Sequence, residues 1–153
     1  MNRFLSIAAV VGISLTCCAT SNAQKRISLD GAGWTFQPTL EAAQSVSVPH
    51  SWQASEAYRR YLGNAMYQRD FDAPTVGRGQ VVRLHFDAVY DHASVWLNGH
   101  HLGVHDGGYT PFDFEITSLL RVGSNHLLVE VNNEPTLQTI PALATASSSK
   151  GAS

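Results

Sequence analysis

Three short runs in this chain have the residue types that enzymes use. His100, His101 and His105 with Asp106 supply four metal-ligating side chains within seven residues. Asp91, His92 and Ser94 repeat the composition of a hydrolase triad. Asp113 and Glu115 are two carboxylates two positions apart, the spacing that puts both on one face of a strand, and glycoside hydrolysis uses such a pair. Arg69 stands between Tyr67 and Phe71 at the same spacing, so a lone cation shares a face with two aromatic rings. The rings of Trp34, Trp52, Trp96, Tyr109 and Phe112 could stack on a sugar or fill a core.

The elements that must carry these residues decide among the readings. Val82, Leu84, Phe86 and Ala88 alternate with polar neighbours, as do Leu127, Val129 and Val131, and no segment keeps a helical period. Ile27–Leu29 and Trp34–Phe36 flank the turn residues 30–33, and a helical turn is expected over 59–62. Asn98-Gly99 between two apolar triplets is a strong hairpin signal, because both residues accept positive φ. Many short strands with frequent Gly and Pro predict an all-β sandwich or jelly roll.

On that scaffold the histidine cluster disperses. His101 and His105 fall on one strand about 13 Å apart, with His100 on the other face, and only a bulge at Gly103 would change this. The triad look-alike fails because strand neighbours point to opposite faces, and no G-x-S-x-G elbow is present. Asp113 and Glu115 read as a solvated face. Arg69 reads as one half of an ion pair with Asp113 or Glu115, or as a sugar or interdomain contact. Trp34 and Trp96 read as core. Tyr109, after Gly107-Gly108, is the ring expected at the surface, with Trp52 as its partner in a stacking face. The candidate contacts are therefore Trp52, Arg69 and Tyr109, with no catalytic residue, cofactor or metal ligand assigned.

The totals set further bounds. The 153 residues suffice for one domain and not for a barrel of about 250. Asn2-Arg3, the apolar run 4–15 and the small residues Ser21 and Ala23 read as a secretory signal peptide cleaved after Ala23, which leaves 153 − 23 = 130 residues. Both cysteines, Cys17 and Cys18, fall inside that leader; the neighbourhood of Cys17 resembles a lipobox only loosely. Ten Lys+Arg against twelve Asp+Glu, without a basic stripe, argue against nucleic acid. The expected organisation is a signal peptide over 1–23, a jelly roll over 24–143 and a disordered tail over 144–153. A secreted or periplasmic location follows, with no membrane association after cleavage.

Five motifs then occur in one order: SLDGAGWTF from Ser28, VPHSW from Val48, YLGNAMYQRDF from Tyr61, ASVWLNG from Ala93 and HDGGYTPFDFEIT from His105. Together they resemble the N-terminal sugar-binding domain of family 2 glycoside hydrolases over about residues 27–143. GNAMYQR, HDGGYTPF and VNNEPTLQTIP look most like the β-glucuronidase branch. The resemblance implies an exo-acting retaining hydrolase built of this jelly roll, an immunoglobulin-like sandwich and a catalytic barrel. The barrel would supply both catalytic glutamates, so this chain is expected to be inactive alone. Where the family continues into a loop and a final strand, the sequence reads ATASSSKGAS, so a jelly roll missing its last strand is expected. The functional readings left open are a scaffold and sugar-binding domain of a truncated hydrolase, a stand-alone carbohydrate-binding module, or an interaction domain that self-associates through an open sheet edge.

Overall fold

The computed structural model describes residues 9–18 and 25–134. They form eleven strands in two layers. One sheet contains β1 (Ala9–Cys18), β2 (Lys25–Ser28), the short β5 (His50–Ser51), β7 (Val81–Val89) and β10 (Phe112–Glu115). Its order is β10-β7-β1-β2, with β5 pairing onto β1. The other contains β3 (Gly31–Pro38), β4 (Gln44–Val48), β6 (Asn64–Asp72), β8 (His92–Leu97), β9 (His100–Asp106) and β11 (Ser124–Asn132), in the order β4-β3-β6-β11-β8-β9. The expected all-β sandwich is the observed fold.

Alternation explains which face of each strand turns inward. Val82, Leu84 and Phe86 of β7 are buried, and Leu127, Val129 and Val131 of β11 face them from the opposite layer. The inward face of β7 ends on Val89 rather than the expected Ala88. Burying a large apolar side chain is worth about 1.5–3 kcal/mol, so this shared core is the main source of cohesion. Residues 29–30 are a crossover, not a hairpin, because β2 and β3 belong to different sheets.

Within the segment read as a leader, β1 lies between β2 and β7, with Ile13 and Leu15 in the core. Several local expectations need correction. Helical turns occur at Trp52–Ala54 and Glu56–Tyr58, before the expected 59–62, because Trp52 is drawn into the core there. Trp96 is not core, since its neighbours Val95 and Leu97 take the inward positions and its ring lies outside against His101. The residues after 134, including most of VNNEPTLQTIP, the stretch where the last strand was expected to be missing, and the tail, lie outside the described residues.

Candidate functional site

The Asn98-Gly99 hairpin forms as expected, with φ of 52° and 83°. Its far end builds the most exposed aromatic site. The ladder pairs Val95 with Gly103 but Trp96 with His101, so Leu102 is the extra residue of a bulge. One extra residue inverts the facing of everything on one side of it. His105 therefore shares the face of buried Ala93, while His101 lies on the Trp96 side. The two histidines expected on one face are on opposite faces. Gly103 permits the bulge, with φ of 153° and Phe114 packed where a Cβ would stand.

His105 stacks on Phe112 at 4.0 Å, and Phe112 stacks on core Phe86 at 4.6 Å. Nε2 of His105 lies 3.1 Å from the Gly107 carbonyl and 3.1 Å from Thr110 Oγ1. A carbonyl only accepts, so this nitrogen carries the proton. His105 thus fixes the 107–110 loop from below. From the side, the Gly107 N–H donates to the Asp91 carbonyl at 2.9 Å, and the Asp91 N–H donates to the Asn132 carbonyl at 3.2 Å. His92 and Asp106 close the hairpin end as a hydrogen-bonded pair.

Tyr109 projects from this anchored loop and is 78% exposed. Its ring meets that of Tyr90 with centroids 5.8 Å apart and planes tilted by 57°. Gly108 lies flat against the Tyr90 ring, where an added Cβ would come within 2.0 Å of Cδ2. Two aromatic faces with His92, Asp106 and Thr110 nearby can present an apolar plate and polar edges to a sugar ring. Tyr90 escaped the sequence reading. The adjacent glycine pair was the signal that a bulky group packs there.

The other predicted contacts go elsewhere. Trp52 is only 1% exposed and stacks on Phe36 and Tyr67, so its ring is unavailable to a ligand. Arg69 makes no ion pair with Asp113 or Glu115, which belong to the other sheet. Its Nη1 donates to the carbonyls of Leu29 at 2.5 Å and Ala32 at 3.0 Å, and its guanidinium lies 5.8 Å from the Trp34 ring centroid. The turn carbonyls take up Nη1, while Nε is buried without a hydrogen-bond partner among the described residues. Asp113 instead pairs with Arg83 on the outer surface at 2.5 Å, and Glu115 is also exposed.

A second groove is lined by Glu41, Glu56, Tyr58, Arg59, Arg60 and Tyr61. Tyr58 donates to the Glu41 carboxylate at 2.7 Å, and this bond holds its hydroxyl above the usual phenol range, aided by desolvation. The groove's hydroxyls are largely committed to protein partners. Tyr61 donates to the Asn64 carbonyl at 2.6 Å. The VNN segment secures the adjoining loop: Asn133 Nδ2 donates to the Tyr61 carbonyl at 3.1 Å, and its Oδ1 accepts from the Gly63 N–H at 2.9 Å. Among the described residues, no group of three or more His, Cys, Asp or Glu is arranged to hold a metal ion.

Comparison with known proteins gives a consistent picture. The family model described as "Glycosyl hydrolases family 2, sugar binding domain" matches residues 54–139. A β-glucuronidase of Bacteroides fragilis is 34% identical over 130 residues, covering 78% of this chain and 18% of that protein. The crystal structure of an FMN-binding β-glucuronidase from Faecalibacterium prausnitzii superposes with a TM-score of 0.68 at 37% identity, covering 77% of this chain and 19% of that one. The β-glucuronidase of Bifidobacterium dentium, solved with coumarin-3-O-glucuronide, superposes at 0.64 with 31% identity, over 82% of this chain and 21% of that one. The chain thus spans about a fifth of the length of these relatives.

Proposed function

Because this chain belongs to the family 2 glycoside hydrolases through their sugar-binding domain, we propose that it is the non-catalytic, carbohydrate-facing module of a β-glucuronidase-type hydrolase. The single observation carrying the carbohydrate-facing part is Tyr109, an exposed ring on a loop anchored by hydrogen bonds from His105 and to the Asp91 carbonyl. A ring fixed in advance loses little entropy on meeting a sugar face. The non-catalytic part rests on the acids. Asp113 and Glu115 sit on the exposed face of β10, and Asp113 is already paired with Arg83. A retaining glycosidase needs two carboxyls about 5–5.5 Å apart across a bound glycosidic link.

The test is a calorimetric titration of this chain with an aryl β-glucuronide, followed by a prolonged hydrolysis assay. Saturable, weak binding without turnover is the expected result. Turnover by this chain would overturn the non-catalytic reading, and the absence of any saturable binding would overturn the sugar-facing one.

A second reading is a carbohydrate-binding module that acts alone, and it is favoured by the fact that the Tyr90–Tyr109 plate is formed within this one domain. Affinity for an extended glycan well above that for a monosaccharide glucuronide would favour it. Export to the periplasm or exterior is part of the proposal and rests on the basic start and apolar run of residues 2–15. Finding Gln24 at the amino terminus of the exported product is the corresponding check.

A further inference from the structure

The segment that reads as an export leader is also the strand that holds one sheet together. β1 pairs with β7 from Val10↔Val89 to Cys18↔Val81, and with β2 from Ser14↔Ser28 to Cys17↔Lys25. Among the described residues, β2 and β5 have no other strand partner, and β7 would retain only β10. Ile13 and Leu15 are buried in the core opposite Phe86 and Leu84, while Ser14 between them is half-exposed. Two hydrogen bonds outside the ladder fix the register. The Ile13 N–H donates to Asp30 Oδ1 at 2.9 Å, and the Ile13 carbonyl accepts from the Leu29 N–H at 2.8 Å.

A leader that is cut away cannot remain as a covalent strand. Its removal would leave two facing rows of unpaired backbone groups and an opened core, a geometry suited to strand addition. We propose that the slot between β2 and β7 is a strand-acceptor site, which takes an extended apolar peptide of about ten residues antiparallel to both neighbours, with Ala9–Cys18 as its resident occupant. The slot specifies its ligand in three ways. It requires apolar side chains at the Ile13 and Leu15 positions, a small or polar residue between them, and a backbone N–H at the Ile13 position for Asp30. Proline is excluded there.

The full chain itself can test this. A specific protease site is placed within residues 19–24, the protein is folded and cut, and the pieces are separated under native conditions. The amino-terminal piece should stay with the body and be released only when the body unfolds. A fluorescent peptide of residues 9–18, carrying Cys17→Ser and Cys18→Ser, should exchange into the cut protein. The same peptide with Ile13→Asp or Ile13→Pro should bind at least about 100-fold more weakly, because one buries an unpaired carboxylate and the other removes the N–H that Asp30 accepts. Three results would overturn the proposal. One is loss of the piece with no change in the thermal transition of the body. Another is equal binding of the Ile13→Asp peptide. The third is a cut body that dimerises and rejects the peptide, which would make a second copy the occupant.

Discussion

Arg69 donates to the main-chain carbonyl of Leu29, and that carbonyl also accepts the indole N–H of Trp34 at 2.7 Å. One buried acceptor thereby ties β6 to the crossover between the two sheets. Arg69→Met should destabilise the domain by about 2–3 kcal/mol, because it leaves the charge-assisted acceptors unmatched. Arg69→Lys should recover only part of this, lacking the planar group that lies against Trp34. Urea denaturation measures both. Unchanged stability with reduced sugar binding would instead make Arg69 a ligand contact.

Trp52 and Tyr109 should separate cleanly under mutation. Trp52→Ala removes a ring packed against Phe36 and Tyr67 and should cost about 3–5 kcal/mol. Tyr109→Ala should change stability by no more than about 0.5 kcal/mol, while weakening glucuronide binding several-fold. Thermal melts paired with the calorimetric titration distinguish the two. A Tyr109→Ala protein that binds as the parent does would remove the stacking plate from the functional account.

Gly108→Ala should disrupt the same site from beneath. Its Cβ would collide with the Tyr90 ring, which has Tyr109 beside it. The ring or the loop must shift, at a cost of about 1–3 kcal/mol, with the aromatic plate distorted. The double variant Gly108→Ala/Tyr90→Ala should lose less stability than the sum of the single changes, which a double-mutant cycle reads directly. Additivity would show that Gly108 does not sense Tyr90.

His50 should give the domain an acid-sensitive component. It is half-buried, and desolvation lowers its pKa from 6.5, while burial pushes the Tyr67 hydroxyl up, so Tyr67 stays protonated. Tyr67 can then donate to a neutral His50 at Nδ1, across 2.7 Å. The unfolded chain binds the His50 proton more readily than the folded one. This contribution to stability is therefore present above about pH 6.5 and declines as pH falls through the lowered folded value. His50→Gln should flatten the stability profile between about pH 7 and pH 5 relative to the parent, as measured by urea midpoints at several pH values. Parallel profiles would show that His50 contributes nothing to acid sensitivity.

Much of the architecture was legible in the residues because a strand with one buried face must alternate. The alternation along β6, β7 and β11 marked the faces of three strands, and Asn98-Gly99 marked one hairpin. Tyr109 was legible as a surface ring for a local reason, the glycine pair before it, which marks a turn. Arg69 was legible only as a cation on an inward face. Its actual acceptors are carbonyls of Leu29 and Ala32, about 40 positions away in sequence, and nothing in residue type announces a main-chain acceptor.

The sequence alone determined the class of fold, the family and the exposed Tyr109, since each depends on local periodicity or on an ordered set of short motifs. Tertiary structure decided the facing of the histidines, because the bulge at Leu102–Gly103 inverts side-chain direction without changing composition. It also decided that Trp52 is core, and that the apolar run 9–18 is a strand between β2 and β7. Apolar residue types record only that this stretch avoids water, and the backbone groups of the strands that flank it decide where it pairs.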